Sequence, residues 1–544
     1  MSGGPEVGDR RFVGHARTVM ALTLTSRVSG LLRDAVTSRV FGASPLWSAF
    51  LTAFVVPNLF RRLFGEGALS ASFIPPYARL SESDPAQADR FASLTVLVFG
   101  AALAGVVLLI ELPLVAVLLL ADLPELPRWT LTFLAVMLPY APLVCQTAML
   151  GGMLQTRGRF APHASAPIIL NVLMTAGASG AWLAGWPAEW TALTVAGAVL
   201  TAGVLQAAWC GIALRGLARW RRDVSAAAGE LRSMLAKMLP VVLGMGALQI
   251  GTLIDGLLAG WPVLVGPTIP FSGGEPYPLD GSAKSVLFFA DRLYQFPLGV
   301  FGIAVATAVF PALSRMAGDP AGFAATLSRG LRTSLFIGVP AAVGLALVAR
   351  PLAATVYGGG AFDADALDRT AAALLCYAPA VWAMSLTHVL NRAFFAAGDT
   401  RTPMRVGIAT VGANITLNVV LMFPLAERGL ALATATAAIG QTAALLVLAR
   451  RRLPGGVGGM GSVGGGALWS VGLAAAMAGA ILLARLLITG PATITADADG
   501  APVLVWSGFA VDLARDVAAG VLAYGGLAAA ARRPELRWLL TRGG

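Results

Sequence analysis

The chain has 544 residues, 57% of them hydrophobic and 12% charged, with a mean hydropathy of +0.75. That balance excludes a soluble globule and describes a polytopic membrane protein. The formal charge of +11 does not call for nucleic acid, because basic residues collect in the cytoplasmic loops of membrane proteins.

The N-terminus, MSGGPEVGDRR, is polar and runs straight into a long helix without a small-residue cleavage site, so no cleavable signal is expected. Apolar runs of roughly 20–30 residues then predict about fourteen spans. They fall near 12–41, 46–80, 91–121, 128–156, 160–185, 190–216, 234–262, 284–315, 322–349, 365–397, 403–424, 428–450, 466–489 and 502–531. Loops after even-numbered spans are basic, as at Arg157 and Arg159 or Arg450–Arg452. Those after odd-numbered spans are acidic, as at Asp122 and Glu125 or Glu275 and Asp280. The positive-inside rule places both termini in the cytoplasm.

The first two spans carry the chemistry. Between Ser26 and Arg79 the sequence is apolar enough for two membrane helices, yet it contains Arg27, Arg33, Asp34, Arg61, Arg62 and Glu66. An ionised side chain at bilayer depth costs roughly 2.5–3.5 kcal/mol on insertion scales, so these groups must face one another, a wet cavity or an anionic ligand. Helical spacing puts Ser26 and Arg33 on one stripe and Arg27 and Asp34 on the next. Asn58, Arg62 and Glu66 follow at i, i+4 steps, with Arg61 one position aside. One reading is internal ion pairing that locks helices together. The excess of arginine favours the sharper reading, a cavity whose guanidinium groups hold a phosphorylated ligand.

Further along, Cys145, Cys210 and Cys376 sit in apolar segments and read as small buried hydrophobes. Span seven contains Gln249 and Asp255, and span eight continues from Lys284 to Asp291 and Arg292, ahead of Pro297. An internal repeat is visible. Pro75–Arg79 (PPYAR) is echoed by Pro311–Arg315 (PALSR), Tyr140–Pro142 by Tyr377–Pro379, and Leu170–Met174 (LNVLM) by Leu417–Met422 (LNVVLM). The offsets are all roughly 236–247 residues, and six spans fit each copy, so the repeats run parallel. The fold expected is all-α, with an N-terminal lobe over 1–218, a C-terminal lobe over 219–452, and an added helix pair with a cytoplasmic tail over 453–544. Arg292 should then project toward the same central cavity as Arg61, from the opposite lobe, with Asp291 pairing among its neighbours. Pro57 and Pro297 interrupt the corresponding helices, where a bend can serve a moving gate.

Other motifs are weaker. The Asp363/Asp365 and Asp497/Asp499 pairs fall in outward-facing loops and read as solvated acids rather than a glycosyltransferase site. His15, His163 and His388 are widely separated and form no zinc motif. Glycine clusters at Gly358–Gly360 and Gly455–Gly466 fit turns or linkers. No arrangement makes a nucleophile–base–acid set.

SRVSGLLRD (26–34), PNLFRRLFGEGA (57–68), ADRLYQFPLGVFG (290–302) and GDTRTP (398–403) resemble the MviN/MurJ family of proposed lipid II flippases, within the wider group of multidrug, oligosaccharidyl-lipid and polysaccharide exporters. The resemblance runs from about Val13 to Arg450. It implies that Arg27, Arg33, Arg61 and Arg292 hold a lipid-linked pyrophosphate, with Ser26 and Asn58 in the same motifs. Asp34 and Glu66 match acidic gating positions, beside Asp291 and Arg62. In some members a sodium ion is held by spans seven, eleven and twelve, and Asp255, Asn414, Asn418 and Thr434 resemble that set. Asn418 stands where a carboxylate is expected, which weakens a site for a hard cation. Ser48 and Val55 likewise replace an acidic and a basic residue. No other cofactor is implied.

The function expected is a flippase that moves lipid II across the bacterial inner membrane by alternating access, with membrane lipids and cell-wall synthesis proteins as its surroundings. The alternatives are an exporter of another lipid-linked oligosaccharide, and an intramembrane glycosyltransferase acting on the same lipid. A scaffold of cell-wall complexes is a third class.

Overall fold

The computed structural model describes residues 5–270, 272–496 and 502–540. Side chains at 5–17, 65–68, 70–71, 241, 243–245, 247–248, 460, 496, 502 and 539–540 lie outside that description. His15, the Glu66 side chain, and Asp497 with Asp499 are therefore not placed. The described residues fold as twenty α-helices, three short stretches of other helical winding and one short hairpin, an all-α membrane architecture as the hydropathy implies. Eleven segments among the described residues are long and apolar enough to cross a bilayer. The other three expected spans, at 12–41, 46–80 and 234–262, are helical too. They carry Arg27, Arg33 and Asp34, then Arg61 and Arg62, then Asp255.

Two compact units divide the chain, Met1–Ser282 and Ala283–Gly544. The first holds α1 (Pro5–Phe41), α2 (Pro45–Phe60), α3 (Leu69–Ser83), α4 (Pro85–Leu120), α5 (Glu125–Met137) and α6 (Tyr140–Thr156). It continues through α7 (Ala161–Ala164), α8 (Ala166–Leu183), α9 (Ala188–Ala213) and α10 (Ala228–Leu264). Several starts are written locally. Ser44 accepts from the Trp47 amide ahead of Pro45, and Asp84 accepts from the Gln87 amide ahead of Pro85. A capping oxygen satisfies an orphan N–H, and proline at the first helical position loses no bond. The interior is aromatic and methionine-rich. Phe73 stacks on Tyr77 and Phe91, with Met149, Met153 and Met234 around them. Phe41, Trp47 and Phe50 form a second stack, with centroids 4.7 and 4.6 Å apart.

By the repeat, α10 is the first helix of the second copy, yet by packing it belongs with the first unit. Thr130 of α5 donates its hydroxyl to the Val263 carbonyl at 2.8 Å. Gly260 lies against Thr52 of α2, where a Cβ would collide with the threonine side chain. Gly256 and Gly260 form a G-x-x-x-G pair, the spacing that lets two membrane helices approach closely.

The second unit comprises α11 (Ala283–Pro297), α12 (Ile303–Arg315), α13 (Pro320–Leu347), α14 (Ala349–Tyr357), α15 (Ala364–Ala396), α16 (Arg401–Leu425) and α17 (Glu427–Arg452). Then follow α18 (Met460–Leu487), strands β1 (Ile494–Ala496) and β2 (Pro502–Leu504) paired antiparallel, α19 (Trp506–Ala530) and α20 (Pro534–Leu540). Helices α15 and α17 meet through Ala380, Ala383, Ala435 and Ala438. Thr442 donates to the Ala383 carbonyl at 2.8 Å beside them. The GDTRTP motif is a joint. Gly398 takes φ 79°, and Asp399 accepts from the Thr402 amide and hydroxyl at 2.9 and 2.6 Å. Arg452 of α17 reaches the same hydroxyl at 2.9 Å. Asp363 proves to be the cap of α15, accepting from the Ala366 amide at 2.8 Å.

The last helices are bound into this unit by charge. Asp516 of α19 is wholly buried and takes Arg485 of α18 at 2.7 Å and Arg515 at 3.0 Å. Arg485 also donates to the Leu347 carbonyl of α13 at 2.6 Å. Near the other end, Arg332 of α13 pairs with buried Glu535 at 2.6 Å, and Trp538 lies under both Arg329 and Arg332.

Two stretches depart from α-geometry. Arg61–Ala68 and Leu298–Gly302 are π-helical, following Pro57 and Pro297. The PPYAR/PALSR offset carries one stretch onto the other. Each proline lacks the N–H its helix would use, and a wider turn nearby absorbs the misfit without ending the rod.

Candidate functional site

The site residues fall into three local groups. In the first, Arg33 and Asp34 are both buried on α1. Adjacent helical positions do not normally face each other, but the long guanidinium folds back so that Nε and Nη2 both donate to Asp34 Oδ1, at 2.9 and 2.6 Å. Arg33 Nη1 donates to Asn171 Oδ1 of α8 at 3.0 Å. Asn171 in turn donates Nδ2 to the Ser29 hydroxyl at 3.0 Å and to the Ser26 carbonyl at 3.2 Å. Both faces of the Asn171 amide are thus used, and α1 is pinned to α8. Ser26 enters through its backbone. Arg27, on the same helix, is exposed.

Arg33 finds its counter-charge in Asp34 of the same helix, so the ion pair itself locks no two helices together, and the link to α8 is the neutral Asn171. The sequence did not reveal Asn171. The signal was present, because Asn171 is the polar member of the repeated LNVLM motif in an otherwise apolar span.

In the second group, Arg61 Nε donates to Asn58 Oδ1 at 3.0 Å, one turn back along the chain. Arg61 and Arg62 are half-buried, and they open the π-helical stretch. A wide turn changes the angular position of the side chains after it, so a stripe drawn from Asn58 at ideal spacing does not continue past Arg61.

The third group lies on α11. Asp291 accepts from Gln295 Nε2 at 2.6 Å, and the Arg292 guanidinium sits over the Phe288 ring, 4.9 Å from its centroid. Tyr294, two residues after Arg292, stacks on Tyr377 at 4.7 Å.

The sodium candidates are spread over three helices. Asp255 is half-buried on α10, Asn418 buried and Asn414 half-buried on α16, and Thr434 half-buried on α17. The Thr434 hydroxyl donates to the Leu430 carbonyl at 3.1 Å. On α16 and α17 these donors are all neutral, and the one carboxylate belongs to the other compact unit. Among the described residues no three His, Cys, Asp or Glu side chains gather as metal ligands. A cleft of about 650 Å³ lies elsewhere, between the end of α3 and Glu230. Its lining of Arg79, Glu82 and Glu230 is net acidic and unsuited to a diphosphate.

Comparison with known proteins follows the same line. A family described as lipid II flippase MurJ matches residues 37–495. A probable lipid II flippase MurJ from Rhizobium tropici is 33% identical over 458 residues, covering 80% of this chain and 80% of that protein. The lipid II flippase MurJ of Burkholderia cenocepacia is 30% identical over 452 residues, covering 80% and 83% respectively. A solved lipid II flippase MurJ in an inward closed conformation aligns with a TM-score of 0.74 at 22% identity, over 95% of this chain and 99% of that one. An inward-facing MATE multidrug transporter of the MOP superfamily aligns with a TM-score of 0.54 at 15% identity, over 84% and 94%. At such identities the two structures speak for the fold.

Proposed function

The chain belongs to the lipid II flippase MurJ family, and on that premise we propose that it carries lipid II from the inner to the outer leaflet of the bacterial cytoplasmic membrane. It acts as a transporter, not an enzyme. The headgroup enters a cationic cavity, and alternating access then exposes that cavity to the outside. The residues assigned to the diphosphate are Arg27, Arg33, Arg61 and Arg292, with Ser26 and Asn58 from the same motifs. Asp34, Asp291, Arg62 and Glu66 form the balancing charges that rearrange as the cavity changes sides.

The observation that carries this reading is the state of Arg33. A guanidinium has five N–H donors in a fixed fork. Three of those on Arg33 go to Asp34 and Asn171. The other two have no partner among the described residues. The group is thus held in place, close to neutral together with Asp34, and still able to bind. A bare pyrophosphate cannot cross hydrocarbon, whereas guanidinium hydrogen bonds replace its water at bilayer depth. A net-negative headgroup leaving an inside-negative cell gains about 2.3 kcal/mol per charge per 100 mV, unless protein charge moves with it. Asp255, Asn414, Asn418 and Thr434 are the residues that would hold a sodium ion.

The test is transport by purified protein in vesicles. Labelled lipid II should reach the opposite leaflet with its mass unchanged, and Arg33→Ala, Arg61→Ala and Arg292→Ala should each slow that transfer at equal protein content. A new covalent product, or full transfer by all three variants, would overturn the assignment.

A further inference from the structure

We infer that Asn171 is the positioning residue for Arg33, setting how much of that guanidinium remains for a diphosphate. This rests on the proposed function of the same site. Left with Asp34 alone, Arg33 would be free to turn both edges of its fork onto the carboxylate, the geometry such pairs favour. Asn171 prevents this by taking Nη1 at 3.0 Å from another helix. Its own orientation is set from the far side, because Nδ2 has two acceptors, Ser29 Oγ and the Ser26 carbonyl, both on α1. A flipped amide would set an oxygen against that carbonyl and an NH₂ against a cation. Asn171 also packs beside Gly30, where a Cβ would make an ordinary contact with Nδ2 at 3.4 Å.

The arrangement therefore holds Arg33 between two acceptors of different strength. Asp34 supplies the counter-charge, and Asn171 supplies direction without charge. A carboxylate at 171 would satisfy Arg33 equally well but would cancel its remaining attraction for an anion. It would also lose both donations to α1. That difference separates positioning from mere packing. The second repeat copy carries Asn418 at the corresponding place in LNVVLM, and it is buried as well.

The experiment is a double-mutant cycle on the full-length protein in lipid nanodiscs, with dansyl-labelled lipid II as the probe. Undecaprenol, which lacks the diphosphate, serves as the control. Asn171→Ala should weaken lipid II binding about tenfold, near 1.4 kcal/mol, and leave undecaprenol binding unchanged. Arg33→Ala should weaken it by at least as much, and the double variant should be no weaker than Arg33→Ala alone. Asn171→Asp should bind less well than Asn171→Ala, despite keeping an acceptor for Arg33. Asn171→Gln, which retains both amide groups, should fall between wild type and alanine, and it carries the cycle if the alanine variant does not fold. Independent, multiplying effects of the two sites would overturn the inference. So would lipid II binding by Asn171→Asp as tight as wild type. If Asn171 variants bind normally while Arg33→Ala does not, the positioning role fails and the diphosphate site stands. If Arg33→Ala binds normally, both fail.

Discussion

Thr130 gives its hydroxyl to the Val263 carbonyl at 2.8 Å, and this bond holds the end of α10 to α5. One turn earlier, Gly260 packs against Thr52, with no room for a side chain. The two contacts together decide where α10 sits. Gly260→Leu should force α10 off α2 and cost about 1–3 kcal/mol, as overpacking does. Gly211→Leu is the control. No atom lies within 4 Å of the Cβ position there, so its effect should stay within about 0.5 kcal/mol. Thermal unfolding in detergent compares them, and equal shifts would contradict this account.

Asp516 provides a second case. Its carboxylate is wholly buried between Arg485 and Arg515, and removing one partner from a buried charge group costs about 3–5 kcal/mol. Asp516→Asn should therefore lower the unfolding temperature sharply and make α18–α19 easier to cleave by protease. Asp368, paired with Arg350 in the open at 2.7 Å, is the contrast, since surface pairs are worth about 0–1 kcal/mol.

Sodium can be tested by restoring a charge. Asn418 is buried, so Asn418→Asp creates a buried carboxylate that is destabilising unless a cation accompanies it. The variant should be less stable than wild type in potassium and should regain stability as sodium replaces it, by mass action on the folded state. A melting temperature indifferent to sodium would remove Asn418 from any cation site.

Asp399 gives a pH signature outside the membrane. The Thr402 hydroxyl, and then the backbone amides, hold its carboxyl below the usual range. A depressed carboxyl contributes stability that is fully present above its unfolded value, near about 3.9, and lost as pH falls through the lower folded value. Asp399→Asn should therefore lower stability modestly at neutral pH, where the ionised carboxylate contributes, and flatten the acid limb below about pH 4, so that variant and wild type converge in acid. An acid limb identical to wild type would sink this.

Much of the architecture was legible because hydropathy and short motifs are local properties. The apolar runs, the alternating loops and the repeated PPYAR and LNVLM phrases mark out helices without reference to partners. The Arg33 group was only half legible. Spacing placed Arg33 and Asp34 on neighbouring stripes, but their mutual bond depends on a side-chain rotamer. Asn171 stands 138 residues away, where periodicity has no reach. The π-helical stretches were hidden for a related reason. Any stripe drawn at ideal spacing assumes a constant turn, and at Arg61 that assumption ends. The seating of α10 escaped because a glycine announces that something comes near without saying what.

The wide turns also fix which side chains share a face. Each is an extra residue that a membrane helix has taken in without breaking, at Arg61–Ala68 after Pro57 and at Leu298–Gly302 after Pro297. Trimming one residue from either stretch would return that helix to regular winding and turn everything beyond it by about 100°.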